Sequence, residues 1–437
     1  MKSAVFPKIS ELRQFIQQNR DLEPLLSGIK ASDAEFWLVG GCLRNFLLNL
    51  PQTDIDIACS ADPTPLAKTW AAEVGGHWFW LDKARKQSRV MLSQGLIVDF
   101  NPLKAETIDE DLRLRDFTIN SFGLLLNSFP DAPFVDLLSG IDHLNGRQLK
   151  ACSPQSLVDD PLRILKGIRH AVTLDFAFDP ETWQEICTSA HLLSGIAGER
   201  VHDELSKILS SPLVGEGIKL LYESGVLEVL FGPAGRCWDV EKEADLIANL
   251  YAEMQKYPEI DSLNLETFEH YSVREIILFA QLIRVYLPAD LTQLLHSRLR
   301  FSRRVQRIMK ELQREPNLEF FTAVKTSDSR RRQALLVEQL EPFSSVKMLY
   351  WGVCFGRLDF SLFKELQTSF ATQQQSKRIP DLLGGKRVLE VLGNVSPAQI
   401  GSWQSRVKLA EIKGEISSSA DAENWLKDKL LFDNKEV

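Results

Sequence analysis

The sequence has few cysteines, no long apolar run and no excess of positive charge. Each shortage excludes something. Cys42, Cys59, Cys152, Cys187, Cys237 and Cys354 are scattered over 437 residues, with no C-x-x-C pair and no histidines at zinc-ligand spacing. That argues against a zinc module or a disulfide scaffold and predicts reduced, packed thiols in a cytoplasmic protein. No run of about 18 apolar residues is present, so no membrane-spanning helix is expected. The opening MKSAVFPKISELRQF lacks the long apolar core of a secretory signal. A formal net charge of -8 argues against indiscriminate coating of nucleic acid, while a local basic patch stays open. No solenoid-type repeat recurs. What remains is an ordinary globular composition, 44% hydrophobic and 25% charged, in a chain long enough for two to four domains.

The texture changes along the chain. Between residues 36 and 100 the short β-type runs FWLV, DIDIAC, HWFWL, RVML and LIVDF accompany one strongly helical stretch, CLRNFLLNL. This predicts a small mixed sheet with helices. From about residue 155, helical periods take over in PLRILKGIRHAVTL, VHDELSKILS, GIKLLYESGVLEVLF and REIILFAQLIRVYL. The expected class is α+β, a mixed N-terminal sheet followed by an all-α remainder. Breaks are expected at SSP (210–212), GPAG (232–235) and TQQQSKRIPDLLGGK (372–386). They divide the chain into a head (1–150), a helical neck (151–212), a helical body (213–371) and a helical tail (372–437).

Chemistry concentrates around QTDIDIAC. On a strand, Asp54 and Asp56 share one face and Ile55 and Ile57 the other. Carboxylates about 6 to 7 Å apart repel unless a cation sits between them, although a solvated polar strand face is the plainer alternative. Ahead of them, WLVGGCLRN ends a strand in Gly40 and Gly41 and starts a helix. Glycines allow close backbone approach, a helix N-terminus favours an anion, and Arg44 on the first turn can grip phosphate. A phosphate cradle beside a pair of divalent-metal ligands is what phosphoryl transfer from a nucleoside triphosphate needs. Asp99 in LIVDFN is a candidate third carboxylate. Arg115 and Asp116 in DLRLRDFTINSF either anchor a loop or address a ribose. In LVDDPLRILKGIRHA, Pro161 suits a first helical position and Asp160 an N-cap. Arg163, Lys166 and Arg169 then recur every third residue, near one face.

Taken together, LVGGCLRN, TDIDIA, LRDFTINS, DDPLRILKGIRHA and GERVHDEL resemble the ordered motifs of class II tRNA nucleotidyltransferases and the related bacterial poly(A) polymerases. The tail segment VLGNVSPAQIGSWQSRVKLAEIKGEISSSADAENWL is also similar to that family's C-terminal end. The resemblance implies Mg2+ at Asp54 and Asp56, a triphosphate held by Gly40, Gly41 and Arg44, and a ribose addressed by Arg115 and Asp116. It implies that Asp160 and Arg163 form an amino-acid template for the Watson–Crick edge of CTP or ATP, supported by Lys166 and Arg169. The donor and acceptor chemistry agrees with such a template. Three departures stand out: Asn45 replaces an acid, Leu114 replaces an arginine, and Lys166 replaces an arginine and so lacks its planar fork. The pair His202 and Asp203 has no matching upstream histidine cluster, which argues against a metal phosphohydrolase.

The path from LIVDF to DLRLRDFTIN is the ten residues NPLKAETIDE, where family members that add the full CCA end carry a longer flexible segment. A template needs a second conformation to read a second base, so the short path favours an enzyme that adds two cytidines to tRNA. A separate A-adding enzyme is then the expected partner on the same tRNA. Full CCA addition, A addition, poly(A) synthesis and an inactive RNA-binding protein are the alternatives. Residues 298–332 carry eleven Lys or Arg against four acids. Arg300, Arg303, Arg304 and Arg307 have the spacing of a helical stripe for RNA phosphates.

Overall fold

The computed structural model describes residues 14–16, 18–51, 54–129, 131, 133–233, 239–258, 260, 271–286, 290–314, 344–354, 381–393 and 397–433. It divides into two compact units, Met1–Ala244 with Pro288–Arg300, and Asp245–Leu287 with Phe301–Val437.

The first unit contains a mixed sheet of seven strands: β1 (Phe36–Val39), β2 (Asp54–Cys59), β3 (His77–Asp82), β4 (Gln87–Met91), β5 (Ile97–Pro102), β6 (Phe122–Leu125) and β7 (Phe134–Asp136). Their spatial order is β3-β4-β5-β2-β1-β6-β7. Every strand expected from the β-type runs forms, and the pair β2 and β5 is parallel while the other pairings are antiparallel. Strands β6 and β7 fall in stretches too short to stand out in the sequence, and they extend the sheet beyond β1.

Alternation along the strands separates two faces. On one, Ile55, Ile57, Val90, Val98 and Phe100 are buried with Ala67, Trp70 and Ala71 of the Thr64–Val74 helix. The rings of Trp70 and Phe100 meet edge-on at 5.8 Å. On the other, Trp37, Val39 and Ala58 are covered by Ile108 and Leu112 of the Ile108–Arg113 helix. That cover lies over the β1 side. The same face of β5, β4 and β3 carries Asp99, Arg89 and Phe79 in one register row.

Helices follow the sheet. Leu162–Leu174 buries Leu162, Ile164, Leu165, Ile168, Ala171 and Val172, and Gly198–Leu209 buries Val201, Leu205, Ile208 and Leu209. Gly167 permits close packing on the head, because a Cβ there would lie 2.7 Å from the Phe117 ring. The stretch GIKLLYESGVLEVLF is two helices, Val214–Glu223 and Val226–Phe231. Gly225, at φ 76°, interrupts the period there.

In the second unit, the central stretch Ile276–Ile283 of the Val273–Tyr286 helix is apolar apart from Gln281 and is buried throughout, while Arg274, Glu275 and Arg284 lie toward the helix ends. The tail helices Gly385–Leu392, Pro397–Lys413 and Ser419–Asp433 enclose a core of Leu383, Val388, Val407, Ala410, Ile416, Ala422 and Leu426. Among the described residues no helix is long and apolar enough to cross a membrane.

Candidate active site

Strand β2 carries Asp54 and Asp56 on one face, and the parallel register sets Asp56 directly beside Asp99 of β5. The three carboxylates therefore share one face of the sheet. Asp99 is already engaged. Its cross-strand neighbour Arg89 donates from Nε to Oδ1 at 2.7 Å and from Nη2 to Oδ2 at 2.8 Å. Asp56 has no such bidentate partner, and burial pushes its carboxyl up to about 6, with the charges of Asp99 and Asp54 adding to the rise and Arg115 and Arg89 opposing it. A half-buried carboxylate in this state favours an added cation. No group of three or more His, Cys, Asp or Glu side chains placed to hold a metal was found among the described residues. The oxygen donors of Asp54 and Asp56 fit a hard cation completed by substrate phosphates, as Mg2+ usually is.

The glycine turn lies against this pair. Gly40 has φ 83° and ψ -150°, a region essentially restricted to glycine. A Cβ on it would stand 3.2 Å from Arg115 Nη1 and 3.3 Å from Asp56 Oδ2. Gly41 opens the Gly41–Leu48 helix, and a Cβ there would stand 3.2 Å from Arg44 Nη2. Arg44 is buried rather than reaching outward. Its Nη1 donates to Asn120 Oδ1 at 2.5 Å, and its Nε and Nη2 donate to Asn45 Oδ1 at 3.1 and 2.7 Å. Burial lowers its guanidinium to about 10, against the favourable charge of Asp116. Asn45, standing where the related motif has an acid, accepts these bonds without adding a counter-charge.

Arg115 is held by the buried Asp111, which accepts from its Nε at 3.1 Å and Nη2 at 2.8 Å. The other oxygen of Asp111 accepts from Lys104 N–H at 2.9 Å. Asp116 accepts from Phe117 N–H at 2.7 Å and from Asn120 Nδ2 at 3.0 Å. Burial alone would raise this carboxyl, but Lys166, Asn120, the Phe117 amide and Arg163 together hold it below its ordinary value. The Arg-Asp pair therefore both anchors the turn and lies beside the carboxylates.

Arg163 donates from Nη1 to the carbonyls of Arg115 and Ser156 at 3.2 Å, and from Nη2 to the carbonyl of Leu114 at 2.9 Å. Those bonds fix its guanidinium against the head. Asp160 takes the N-cap place expected from its sequence position: its backbone is extended, Pro161 already has helical dihedrals, and its Oδ1 accepts from Leu162 N–H at 3.3 Å. Arg200 also donates to its Oδ2 at 3.2 Å. Arg169 donates from Nε to the buried Glu204 at 2.7 Å, which also accepts from Lys207 at 3.1 Å. Arg163, Lys166 and Arg169 are all half-buried, as their three-residue spacing predicts.

Arg89, Asp111, Arg200 and Glu204 are absent from the sequence-based site. Arg200 and Glu204 left a signal, four residues apart in GERVHDEL on the turn-to-turn spacing of one helix face, and so did Asp111, four residues before Arg115 in DLRLR.

The basic stripe is narrower than expected. Arg303, Arg304 and Arg307 are exposed on the Arg303–Leu312 helix, whose other face buries Val305, Ile308, Met309 and Leu312. Arg300 does not join them. It precedes the helix with φ 50°, belongs to the other compact unit and pairs with Glu199 at 3.3 Å. The positive φ turns the chain before Ser302 caps the helix. The basic run beyond Arg314 lies outside the described residues. His202 is structural: its buried ring bonds the Leu299 carbonyl through Nδ1 at 2.8 Å, as the missing histidine cluster predicted.

A mixed sheet presenting paired aspartates beside a glycine turn at a helix start defines a nucleotidyltransferase. The comparisons agree. Residues 36–150 match the family described as the poly A polymerase head domain, and residues 175–236 match the family described as the probable RNA and SrmB-binding site of polymerase A. The chain is 29% identical over 403 residues to the CC-adding tRNA nucleotidyltransferase of Geobacter sulfurreducens, covering 90% of this chain and 92% of that one. It is 33% identical over 219 residues to the CCA-adding enzyme of Streptococcus gordonii, but that match spans only 47% of this chain and 54% of that enzyme. Among solved structures, a CCA-adding enzyme complexed with CTP has a TM-score of 0.67 at 20% identity, covering 97% and 98% of the two chains. The Thermotoga maritima CCA-adding enzyme complexed with tRNA has a TM-score of 0.61 at 20% identity, covering 98% and 97%. Over most of its length the chain is similar to tRNA nucleotidyltransferases, its residues 36–150 match the poly A polymerase head domain, and it is an enzyme.

Proposed function

We propose that this enzyme adds two cytidines from CTP to the 3′ end of tRNA. The observation that carries this reading is the connection between β5 and the Ile108–Arg113 helix. It is short and tied down at both ends: Thr107 caps the helix by accepting from Glu110 N–H at 3.3 Å, and Asp111 holds both Lys104 N–H and the Arg115 guanidinium. A connection so fastened has little freedom to drive a second template state. The nearly full-length similarity to a CC-adding enzyme supports the same reading.

In the proposed reaction the terminal hydroxyl attacks the α-phosphate of CTP and pyrophosphate leaves. Asp54 and Asp56 would hold Mg2+, which when bound neutralises charge developing on the phosphates. Gly40 lets the backbone approach the carboxylates, and the helix N-terminus at Gly41 faces the triphosphate. Arg115, fixed by Asp111, contributes positive charge next to Asp56. Asp99 acts on Asp56 from the adjacent strand, with Arg89 limiting its repulsion. The template is Asp160, accepting from the cytosine amine, and Arg163, donating to its ring nitrogen and carbonyl. The ties of Arg163 to the head and of Asp160 to Arg200 hold that pair in one arrangement, with Lys166 and Arg169 behind it. Arg303, Arg304 and Arg307 would meet tRNA phosphates. We place the enzyme in the cytoplasm, in keeping with the free thiols of Cys42, Cys59, Cys152 and Cys187, with a separate enzyme supplying the last adenosine.

The test is to incubate a tRNA lacking its 3′ CCA with CTP, ATP or both, and to size the products at single-nucleotide resolution. Two additions with CTP and none further with ATP are expected. A third addition with both nucleotides identifies full CCA addition, the reading that the similarity to the Streptococcus gordonii enzyme favours.

A further inference from the structure

The catalytic face of the sheet does not stop at the carboxylates. Moving outward from Asp56, the register passes through Asp99 and Arg89 to Phe79 on β3, and the next row runs from Asp54 through Ile97 and Met91 to His77. Strand β3 is an edge of the sheet. The Ile108–Arg113 helix covers this face over β1. Over β3 and β4, His77 is exposed, Phe79 half-buried and Met91 41% exposed. The rings of His77 and Phe79 are 6.1 Å apart, two side chains on one face of one strand. The opposite face of the same strand is occupied: Trp78 and Trp80 pack together at 5.0 Å, and Lys68 sits 4.4 Å above Trp78. Trp78, Phe79 and Trp80 are all half-buried, but only Phe79, with the exposed His77, lies on the side that carries the carboxylates.

We infer that His77, Phe79 and Met91 form a stacking platform for the unpaired 3′-terminal bases of the RNA acceptor. The inference rests on the nucleotidyl-transfer reading above, because the reactive end of the acceptor must reach Asp54 and Asp56. At about 4.8 Å between strands, Phe79 lies roughly 14 Å from Asp56 along the sheet. That places it under the bases preceding the attacking nucleotide rather than under the incoming one. Aromatic stacking accepts any base, which suits an acceptor whose terminal sequence changes after each addition. Arg89 uses Nε and Nη2 on Asp99, and its remaining Nη1 can meet a phosphate between the platform and the carboxylates.

The test compares the wild-type enzyme with Phe79→Ala, His77→Ala and Phe79→Trp, using a hairpin RNA with a single-stranded 3′ extension and the same hairpin blunt-ended. Binding is read by fluorescence anisotropy, and the Michaelis constants for tRNA and CTP are measured separately. Loss of one base stack weakens binding by roughly ten-fold. Phe79→Ala should therefore bind the extended hairpin about ten-fold less tightly, with a matching rise in KM for tRNA and none for CTP. Phe79→Trp should restore both. Unchanged affinity of Phe79→Ala for the extended hairpin, or an equal loss on the blunt one, overturns the platform. A wild-type enzyme that binds the extended hairpin through Phe79 yet adds no nucleotide overturns the functional reading and leaves the platform standing.

Discussion

Replacing Gly40 by alanine probes the approach of backbone to the proposed catalytic carboxylates. At φ 83° and ψ -150°, an L-residue is strained by roughly 1–3 kcal/mol whatever surrounds it. The surroundings add to that, because the new methyl would stand 3.2 Å from Arg115 Nη1 and 3.3 Å from Asp56 Oδ2. Both side chains must give by a few tenths of an ångström, and one of them is a proposed metal ligand. Displacements approaching 1 Å at a reacting centre cost about a hundred-fold in rate, so a smaller shift should cost about ten- to thirty-fold. Gly75 is the control: its φ is also positive, at 67°, but nothing lies within 4 Å of where its Cβ would be. Gly75→Ala should lose roughly 1–2 kcal/mol in urea unfolding and keep its turnover. Gly40→Ala should lose a comparable amount of stability and, in single-turnover CMP incorporation at saturating CTP, the additional rate. Equal turnover in the two variants would refute the close-approach argument, and unaltered stability of Gly40→Ala would refute the backbone argument.

Asp54→Ala and Asp56→Ala should each reduce incorporation by at least about a thousand-fold, the several kcal/mol of metal-ion stabilisation, while tRNA binding in a gel-shift assay is retained. Charge reversal at Arg303 and Arg307 should raise KM for tRNA, flatten its salt dependence and leave KM for CTP unchanged; equal changes in both constants would remove the stripe from the RNA-binding surface. For Glu204, burial raises the carboxyl but the charges of Arg169 and Lys207 outweigh it, so its folded value lies below the ordinary 4.5. The stability this supplies is present above pH 4.5 and is lost as pH falls through the lower folded value. Glu204→Gln should therefore cost about 1–3 kcal/mol at pH 7, and urea unfolding should show the gap from wild type closing toward pH 3.

Different parts of the site differed in how much they could be read from sequence. The alternation in DIDIAC requires Asp54 and Asp56 to share a face once the segment is a strand, and the pair of glycines before CLRN marks the turn into a helix. Asp99 was readable only as an acid at the end of an apolar run. The parallel register of β2 with β5 puts it beside Asp56, and the antiparallel register of β4 delivers Arg89 to it. Asp160 was readable as a cap from the proline that follows it, but not as the partner of Arg200 from the neighbouring helix. Arg300 shared the spacing of the basic stripe, but spacing cannot show that a positive φ at Arg300 itself turns the chain before the helix.

Local periodicity and ordered motifs thus determined the class of fold, the first five strands, the carboxylate pair and the family resemblance. These follow from side-chain alternation and backbone preference over a few residues, which need no partner from elsewhere in the chain. Tertiary structure alone decided three of the charge pairs, Arg89 with Asp99, Arg200 with Asp160 and Glu204 with Arg169, whereas Asp111 and Arg115 meet by the four-residue spacing of a helix turn. It also decided that Asp56 is half-buried beside Asp54 and Asp99 and that His77, Phe79 and Met91 share their face of the sheet. Ion pairing and burial depend on which strands and helices become neighbours, and residues 10 to 40 positions apart in sequence meet here only through strand register and helix packing.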